Sequence, residues 1–171
     1  APLALILHDM LKWSTNLTAE MVGLATTIRR QGQVASLKDS ADVMNAWAKE
    51  SLGLTHVALV DHSGLGDDSR IAAADMMKTM LTVRDRLGLK PLLKPIALRD
   101  SQGRPTQNNP IEVHAKTGTL NFVSGLAGFV DLPDGTELAF AIFAANIPRR
   151  DTLRREERES PPGARDWNRR A

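Results

Sequence analysis

The fold of this chain is decided by residues 113–146, which read VHAKTGTLNFVSGLAGFVDLPDGTELAFAIFAAN. β-Branched, aromatic and small apolar residues fill three runs of this stretch, over 113–119, 122–131 and 136–146, and each run is predicted to form a strand. The last two runs are separated by Pro133-Asp134-Gly135, a composition typical of a hairpin turn. An antiparallel sheet is therefore expected near the end of the chain.

Helices are predicted before the sheet. Apolar residues recur at helical spacing over residues 3–12, 21–28, 43–52 and 71–87. Small polar residues and glycines flank these runs and are the expected N-caps, starts and ends of the helices. These flanking residues are Asn16 or Thr18, Gly32, Ser40, Gly53 and Ser69.

Two further segments complete the pattern. Residues 55–60 are predicted to form one short strand, and residues 90–110 a long irregular connection, which in a compact domain is uncommon unless it lines a site. Helices come first, then a single strand among them, then antiparallel strands. This order predicts an α/β chain of the layered α+β type, with an antiparallel sheet flanked by helices, and disfavours a βαβ dinucleotide fold.

The composition is that of a globular chain, with 42% hydrophobic and 25% charged residues over 171 positions. The absence of cysteine excludes disulfides and thiolate zinc sites. The net charge of +2 is concentrated in residues 149–171, where eight arginines are interleaved with five acids. This interleaving favours a solvated, salt-bridged segment over a nucleic-acid site. We therefore divide the chain into residues 1–148 and a charged C-terminal segment, 149–171, that leads into a truncated helix.

The motif that carries chemistry is Lys116-Thr117-Gly118-Thr119. It falls at the end of a predicted strand, where an ammonium, two hydroxyls and exposed N–H groups are expected to point one way. Such a set can hold a carboxylate and supply an oxyanion-hole donor. The alternative interpretation of the same residues is a turn at the end of a strand, without a chemical role.

Three segments of the chain resemble one known family. They are the stretch from His114 to Phe129, the segment 10–20 with its Ser14-Thr15-Asn16 triplet, and the loop Asp61-His62-Ser63-Gly64-Leu65. They are similar to segments of the D-alanyl-D-alanine carboxypeptidases and endopeptidases of the penicillin-binding protein 4-like peptidase S13 family, and they occur in the family's order. The resemblance covers nearly the whole chain and implies a β-lactamase/transpeptidase-like fold that is incomplete at its N-terminus.

The resemblance also implies roles for individual residues. Ser14 would relay a proton between the nucleophile and the leaving amine, and Asn16 would hydrogen-bond the peptide carbonyl of the substrate. Lys116 would contact the terminal carboxylate of a D-Ala-D-Ala stem peptide. The hydroxyls of Thr117 and Thr119 would assist, with the Thr119 N–H in the oxyanion hole.

Gly118 and Ser63 complete the predicted substrate-binding set. Gly118 would let another chain approach its backbone closely. The loop that contains Ser63 departs from the family pattern, because His62 stands where a glycine is usual and residues 66–69 differ. Asp61 and Ser63 are expected to shape the cleft wall through turn hydrogen bonds. His62 is interpreted as a solvated loop residue, since no second histidine lies at metal-ligand spacing.

The other candidate residues are interpreted as packing. Met76, Met77 and Met80 fall at helical spacing, and Trp13 and Trp47 are expected to be core or cleft-lining aromatics. Neither a metal nor a cofactor is predicted.

The nucleophile of such an enzyme is missing from the sequence. Family members acylate the serine of a Ser-x-x-Lys motif, and no serine of this chain has a lysine three positions later. The chain is therefore expected to be the C-terminal part of a serine-type D-Ala-D-Ala carboxypeptidase or endopeptidase, inactive alone and located in the periplasm.

The expected partners are a peptidoglycan stem peptide or a β-lactam, the missing N-terminal part of the same protein and, because apolar surface is left uncovered, a second copy in a homodimer. Nucleic acid is not expected. Two alternatives remain open: a non-catalytic binding module of the same fold, and a β-lactamase, which would need an efficient deacylating base.

Overall fold

The computed structural model describes residues 1–106 and 108–171. It contains helices and strands in the predicted order. The helices are α1 Leu3–Trp13, α2 Asn16–Gln31, α3 Leu37–Leu52, α4 Ala73–Leu87, α5 Ile147–Asp151 and α6 Ala164–Arg170, with single 3-10 turns at Lys90–Leu92 and Arg155–Glu157. The strands are β1 Val57–Ala58, β2 Arg70–Ile71, β3 Lys94–Pro95, β4 Glu112–Leu120, β5 Val123–Asp131 and β6 Glu137–Ala145.

The ends of the helices follow the glycines, but their starts differ from the prediction. Gly32 and Gly53 end α2 and α3 in the left-handed conformation, as predicted. Neither Asn16 nor Thr18 caps α2, because the helix already begins at Asn16. Ser69 does not cap α4 either: its Oγ accepts the N–H of Val60 at 3.2 Å, and the helix begins at Ala73. The prediction failed here because a cap and a loop hydrogen bond use the same side chain.

The three C-terminal strands and the short strand β3 form the main sheet. Its order is β3-β4-β5-β6 and all pairs are antiparallel, which confirms the predicted sheet and its 133–135 hairpin. The strand predicted over residues 55–60 is reduced to the two residues of β1, which pair with β2, a strand that the sequence did not predict. The long 90–110 connection contributes the short edge strand β3.

One face of the sheet packs against helices and forms the core. Phe129 and Ala127 of β5 are buried together with Met80 of α4 and Leu93, and Leu11 of α1 packs on this cluster. Because cross-strand partners share a face, Lys116, opposite Ala127, and His114, opposite Phe129, lie on this same face. The packing of α1 therefore brings its C-terminal end over β4.

A second, smaller core joins α3 to β1. Ala48 and Leu52 of the helix pack with Leu54 and Val57. Trp47 packs against this cluster, in agreement with the prediction. Trp13, by contrast, is the last residue of α1 and is 65% exposed, so it is not a core residue.

The opposite face of the sheet carries exposed apolar side chains. Leu138 and Ile142 of β6 alternate with the core-facing residues of that strand and are 49% and 57% exposed. This is the uncovered apolar surface that the sequence led us to expect. Among the described residues, no helix is both long and apolar enough to cross a membrane.

The C-terminal segment is tied to the hairpin between β4 and β5. Phe122 in this hairpin has a left-handed φ of 59° although it is not glycine, and it is 1% exposed. Trp167 contacts its ring edge-on, and the guanidinium of Arg149 lies 4.3 Å from the ring centroid. The packing of the tail thus offsets the strain of the turn.

The salt bridges of this segment reach outside it. Arg150 and Arg158 both bind the carboxylate of Asp67, the latter at 2.8 Å. The prediction of a salt-bridged segment was right in kind, but the partner lies in the 61–69 loop rather than among the neighbouring acids. The division of the chain at residue 148 stays a prediction.

Two glycines of the sheet offer a matched test of this packing. A Cβ on Gly128 would overlap the carbonyl oxygen of His114 and the backbone of Ala115, whereas a Cβ on Gly118 would meet no atom of the described residues within 4 Å apart from its chain neighbours. Gly128→Ala is expected to lower the free energy of unfolding by about 3 kcal/mol or more, because backbone cannot yield as a side chain can. Gly118→Ala is expected to leave it unchanged or raise it by up to about 1 kcal/mol. Urea titrations of both variants measure this, and equal stabilities would contradict the register.

Candidate active site

The two most separated predicted site residues meet in the structure. Lys116 Nζ donates a hydrogen bond to Ser14 Oγ at 2.5 Å, across 102 residues of sequence, and a second to the carbonyl of Thr117 at 2.5 Å. Lys116 comes from β4 and Ser14 directly follows α1. A lysine that holds a hydroxyl in this way leaves the proton of that hydroxyl free to point elsewhere.

Ser14 has an unusual backbone conformation. It ends α1 with φ 54° and ψ 49°, a left-handed conformation that costs a non-glycine residue about 1 to 2 kcal/mol. Its N–H donates to the carbonyl of Met10, and the Thr15 N–H donates to the same oxygen at 3.3 Å. Glycine is the usual residue at such a helix end, so a serine here indicates that the hydroxyl is needed.

Asn16 lies two residues further, as the first residue of α2. It is exposed, and the helix start makes no use of its side chain as a cap. The amide is thus available at the same end of the helix pair as Ser14.

The charge of Lys116 is perturbed by its surroundings. Burial lowers the pKa of Lys116 below its usual value, and the like charge of Lys94 on the adjacent strand β3 lowers this pKa further. The charged form is therefore the costly one: this cost is present below the folded-state pKa and disappears as the pH rises above the unfolded-state value. A site of this kind favours a bound anion.

The side chains of the motif do not all point one way, contrary to the prediction. Successive residues of a strand face opposite sides of the sheet, so Lys116 and Gly118 lie on the α1 side while Thr117 and Thr119 lie on the other. The sequence argument overlooked this alternation. Both threonines and Gly118 are exposed.

The backbone of β4 offers hydrogen-bonding groups along one edge of the strand. Val113 O accepts the N–H of Ile96 on the β3 side, so odd-numbered residues of β4 direct their N–H and C=O groups toward that edge. β3 reaches only as far as His114 and Ala115. In the part of the chain that the structure describes, the N–H of Thr119 therefore lies on an unpaired edge, where it can donate to a ligand.

The loop with Ser63 is held to α2 rather than to Lys116. The carboxylate of Glu20 accepts the N–H of Ser63 at 3.0 Å and that of His62 at 3.2 Å. Asp61 accepts the N–H groups of Gly64 and Gly66 at 2.9 and 2.6 Å. The predicted turn hydrogen bonds are thus present, while the contact of Ser63 with a substrate stays a prediction.

His62 is not the solvated residue that the sequence suggested. Its Nε2 lies 2.7 Å from the Oγ of Ser40, a residue with no exposed surface, and its ring lies against Gly23. The sequence gives no signal for this, because Ser40 and Gly23 are far from His62 along the chain.

A cleft of about 460 Å³ adjoins the end of β4. Thr119 and Leu65 both line it, so the 61–66 loop and the motif strand share one wall. Asp67 and Arg150 form another part of its lining. A larger open groove of about 780 Å³ lies between α2 and α3, next to Arg29 and Trp47, and contains none of the predicted site residues.

One group of residues could in principle hold a metal. Glu112, His114 and Asp131 place possible ligand atoms within 4.8 Å of one another. The ammonium of Lys90, however, already lies 2.5 Å from Asp131 and 2.6 Å from Glu137, so a protein cation balances the Asp131 carboxylate of this group. The donor set favours a salt-bridge network over a metal centre.

Comparison with known proteins places this geometry in context. Residues 1–161 match the model of the D-Ala-D-Ala carboxypeptidase 3 (S13) family. Carboxypeptidase Rv3627c of Mycobacterium tuberculosis is 29% identical over an alignment of 157 residues, and the match covers 84% of this chain and 34% of that protein. The chain thus spans about a third of the length of the curated relative that it matches.

Solved structures share the fold. Penicillin binding protein 4 (dacB) of Haemophilus influenzae, complexed with a β-lactam, is 26% identical with a TM-score of 0.68, over 82% of this chain and 34% of that one. The predatory endopeptidase Bd0816 of Bdellovibrio bacteriovorus, in complex with its immunity protein Bd3460, has a TM-score of 0.60 at 23% identity, over 99% of this chain and 42% of that one. The family match covers all of the segments that build the site, from Ser14 to Thr119, and the chain belongs to the D-Ala-D-Ala carboxypeptidase 3 (S13) family.

Proposed function

We propose that this chain is the substrate-holding part of a serine-type D-Ala-D-Ala carboxypeptidase or endopeptidase that acts on peptidoglycan stem peptides through an acyl-enzyme. The hydrogen bond from Lys116 Nζ to Ser14 Oγ, 2.5 Å long, is the observation that carries the proposal. This bond joins a cation of β4 to a hydroxyl at the end of α1, and membership of the S13 family supplies the reaction class.

Ser14 acts as a proton relay in this proposal. Its Oγ accepts from the Lys116 ammonium, so its own proton is directed away from Lys116. The hydroxyl can give that proton to the leaving amine and take one from the attacking serine. The left-handed backbone at Ser14 fixes the direction of the hydroxyl, which is the preorganisation that a relay needs.

Lys116 and the free edge of β4 hold the substrate. The ammonium attracts the terminal carboxylate of the stem peptide, and an anion offsets the cost of the charge in this half-buried position. An extended peptide can lie along the unpaired edge, with the Thr119 N–H in the oxyanion hole. The open space at Gly118 leaves room for its backbone, and Asn16 binds its carbonyl. A β-lactam carries the same carboxylate and binds in the same way.

The attacking serine lies outside these 171 residues, since none of their serines belongs to a Ser-x-x-Lys motif. The chain alone is therefore proposed to be inactive. Peptidoglycan substrates place the protein in the periplasm. The mechanism uses no metal and no cofactor.

A non-catalytic binding module is the second candidate, because the carboxylate-holding strand is complete here without the nucleophile. A β-lactamase is the third and differs by rapid release of the adduct. Incubation of the full-length gene product with a fluorescent penicillin separates the three: a stable covalent adduct supports the peptidase, no adduct supports the binding module, and fast loss of the adduct supports the β-lactamase.

Lys116→Ala in the full-length gene product is expected to lower the second-order rate constant of penicillin acylation at least about tenfold, because the carboxylate loses its cation and Ser14 its partner. Stopped-time labelling with the fluorescent penicillin measures this constant. Lys49→Ala, which removes an exposed lysine from α3, is the matched control and should leave the rate unchanged. A Lys116→Ala protein acylated at the wild-type rate would refute the assignment.

Lys94→Gln is expected to move the alkaline limb of the acylation profile to higher pH. Lys94 lowers the pKa of Lys116, so removal of its charge keeps the Lys116 ammonium to higher pH. The displacement should be small, since burial is the larger cause of the lowered pKa. Added salt, which screens the charge of Lys94, should cause the same displacement in the wild type but none in the variant. An alkaline limb that stays in place or moves to lower pH would show that acylation does not require the ammonium form of Lys116.

Ser14→Gly separates stability from catalysis. Glycine accepts the left-handed conformation without strain, so the free energy of unfolding is expected to stay equal or rise by about 1 kcal/mol relative to wild type. Acylation should nevertheless fall about tenfold or more, because the relay hydroxyl is gone. Ser14→Ala removes the same hydroxyl but keeps the strain, and should match Ser14→Gly in rate while being less stable. Wild-type acylation of Ser14→Gly would exclude the relay.

A further inference from the structure

The imidazole of His62 occupies a notch in α2. A Cβ on Gly23 would overlap the ring atoms of His62, so only glycine leaves space for the ring at this position. Gly23 lies inside the helix, where glycine is about 1 kcal/mol worse than alanine. The helix keeps glycine at this position despite the cost, which indicates that the space occupied by the His62 ring is needed.

A buried hydrogen-bond chain holds the tip of the same ring. His62 Nε2 lies 2.7 Å from Ser40 Oγ, and Ser40 Oγ lies 2.7 Å from Thr27 Oγ1. Ser40 is 0% and Thr27 3% exposed, so these hydroxyls have no water to replace a lost partner. Gly23 and Ser40 thus hold the ring from two sides, on α2 and α3.

The loop that follows this ring is held to α2 on one side and lines the cleft at the end of β4 on the other. The carboxylate of Glu20, one helical turn after Asn16, accepts the N–H groups of His62 and Ser63. Leu65 lines the cleft together with Thr119. A displacement of the His62 ring would therefore move one wall of the cleft relative to the Ser14–Asn16 segment.

We infer that His62 is a positioning residue, which fixes the Asp61–Gly66 loop as a wall of the substrate cleft by its seat on Gly23 and its bond to the buried Ser40–Thr27 pair. The inference rests on the proposed function. His62 acts through the loop and touches neither the substrate nor Lys116. It stands where the resemblance leads us to expect glycine, so the anchor is a feature of this chain.

A double-mutant cycle between Gly23 and His62 in the full-length gene product tests the inference. Gly23→Ala should displace the ring and raise the penicillin concentration for half-maximal acylation about three- to tenfold, with the limiting rate within about twofold of wild type. His62→Gly should give the same change. The double variant should show no further loss, and in the His62→Gly background Gly23→Ala should raise Tm, because alanine then only improves the helix.

His62→Gln is the rescue variant. Its amide can reach Ser40 and should restore the half-maximal concentration to within about twofold of wild type. Losses that add in the double variant, a His62→Gly protein with wild-type acylation, or a uniform drop in the acylated fraction without a change in the half-maximal concentration would overturn the inference.

Hydrogen exchange separates this inference from the proposed function. If the wild-type protein forms no adduct, the proposed function fails, and amide protection then shows whether His62 anchors the loop. Both single variants should lose protection at the amides of His62, Ser63 and Gly64, and the double variant should lose no more than either. Unchanged protection in His62→Gly would show that the ring does not hold the loop.

Discussion

The contact on which the site depends is the packing of α1 against the sheet. Leu11 lies on the cluster around Phe129 and Ala127, and three residues later the chain turns at Ser14. Lys116 leaves the same face of the sheet, opposite Ala127. The hydrogen bond between the two is therefore a product of apolar burial, which positions residues 102 apart in sequence, rather than its cause. A hydrogen bond to an exposed hydroxyl such as that of Ser14 contributes little to stability by itself.

Two residues near the motif strand have strained left-handed backbone, and neighbouring groups hold both of them in place. Ser14 takes the left-handed conformation where α1 ends, and Phe122 takes it in the turn that follows β4. The first is held by the carbonyl of Met10, the second by Trp167 and Arg149. The C-terminal segment thus supports the turn at the end of the motif strand, although its arginines suggested only a solvated tail.

Much of this arrangement could be predicted from the sequence because it is local. The strands around the 133–135 hairpin, the glycine ends of α2 and α3, and the order of the three family segments all depend on neighbouring residues. The resemblance gave Ser14 and Lys116 roles in one site, and no spacing indicated a contact between them. The structure joins them by a hydrogen bond, and their roles stay predictions.

The features that the sequence did not predict depend on tertiary contacts or on the alternation of side chains along a strand. The threonines of the motif face away from Lys116, which the period of a strand requires and the motif argument overlooked. Ser69 was predicted to be a cap, yet it closes a loop onto Val60. The position of the His62 ring depends on the absence of a side chain at Gly23 and on the buried hydroxyl of Ser40, and the residues next to His62 in sequence indicate neither contact.

The resulting site is divided by function as well as by sequence. In the proposed function, Lys116, the free edge of β4 and the Ser14 hydroxyl act because the fold fixes them in place. The nucleophile of the proposed reaction would add one reactive atom to this arrangement. Since a fixed cation and strand edge can hold a carboxylate whether or not acylation follows, substrate binding and chemistry can be tested independently in this fold. The contacts of Glu20 and His62 hold the 61–66 loop, which lines the cleft through Leu65, to helices α2 and α3.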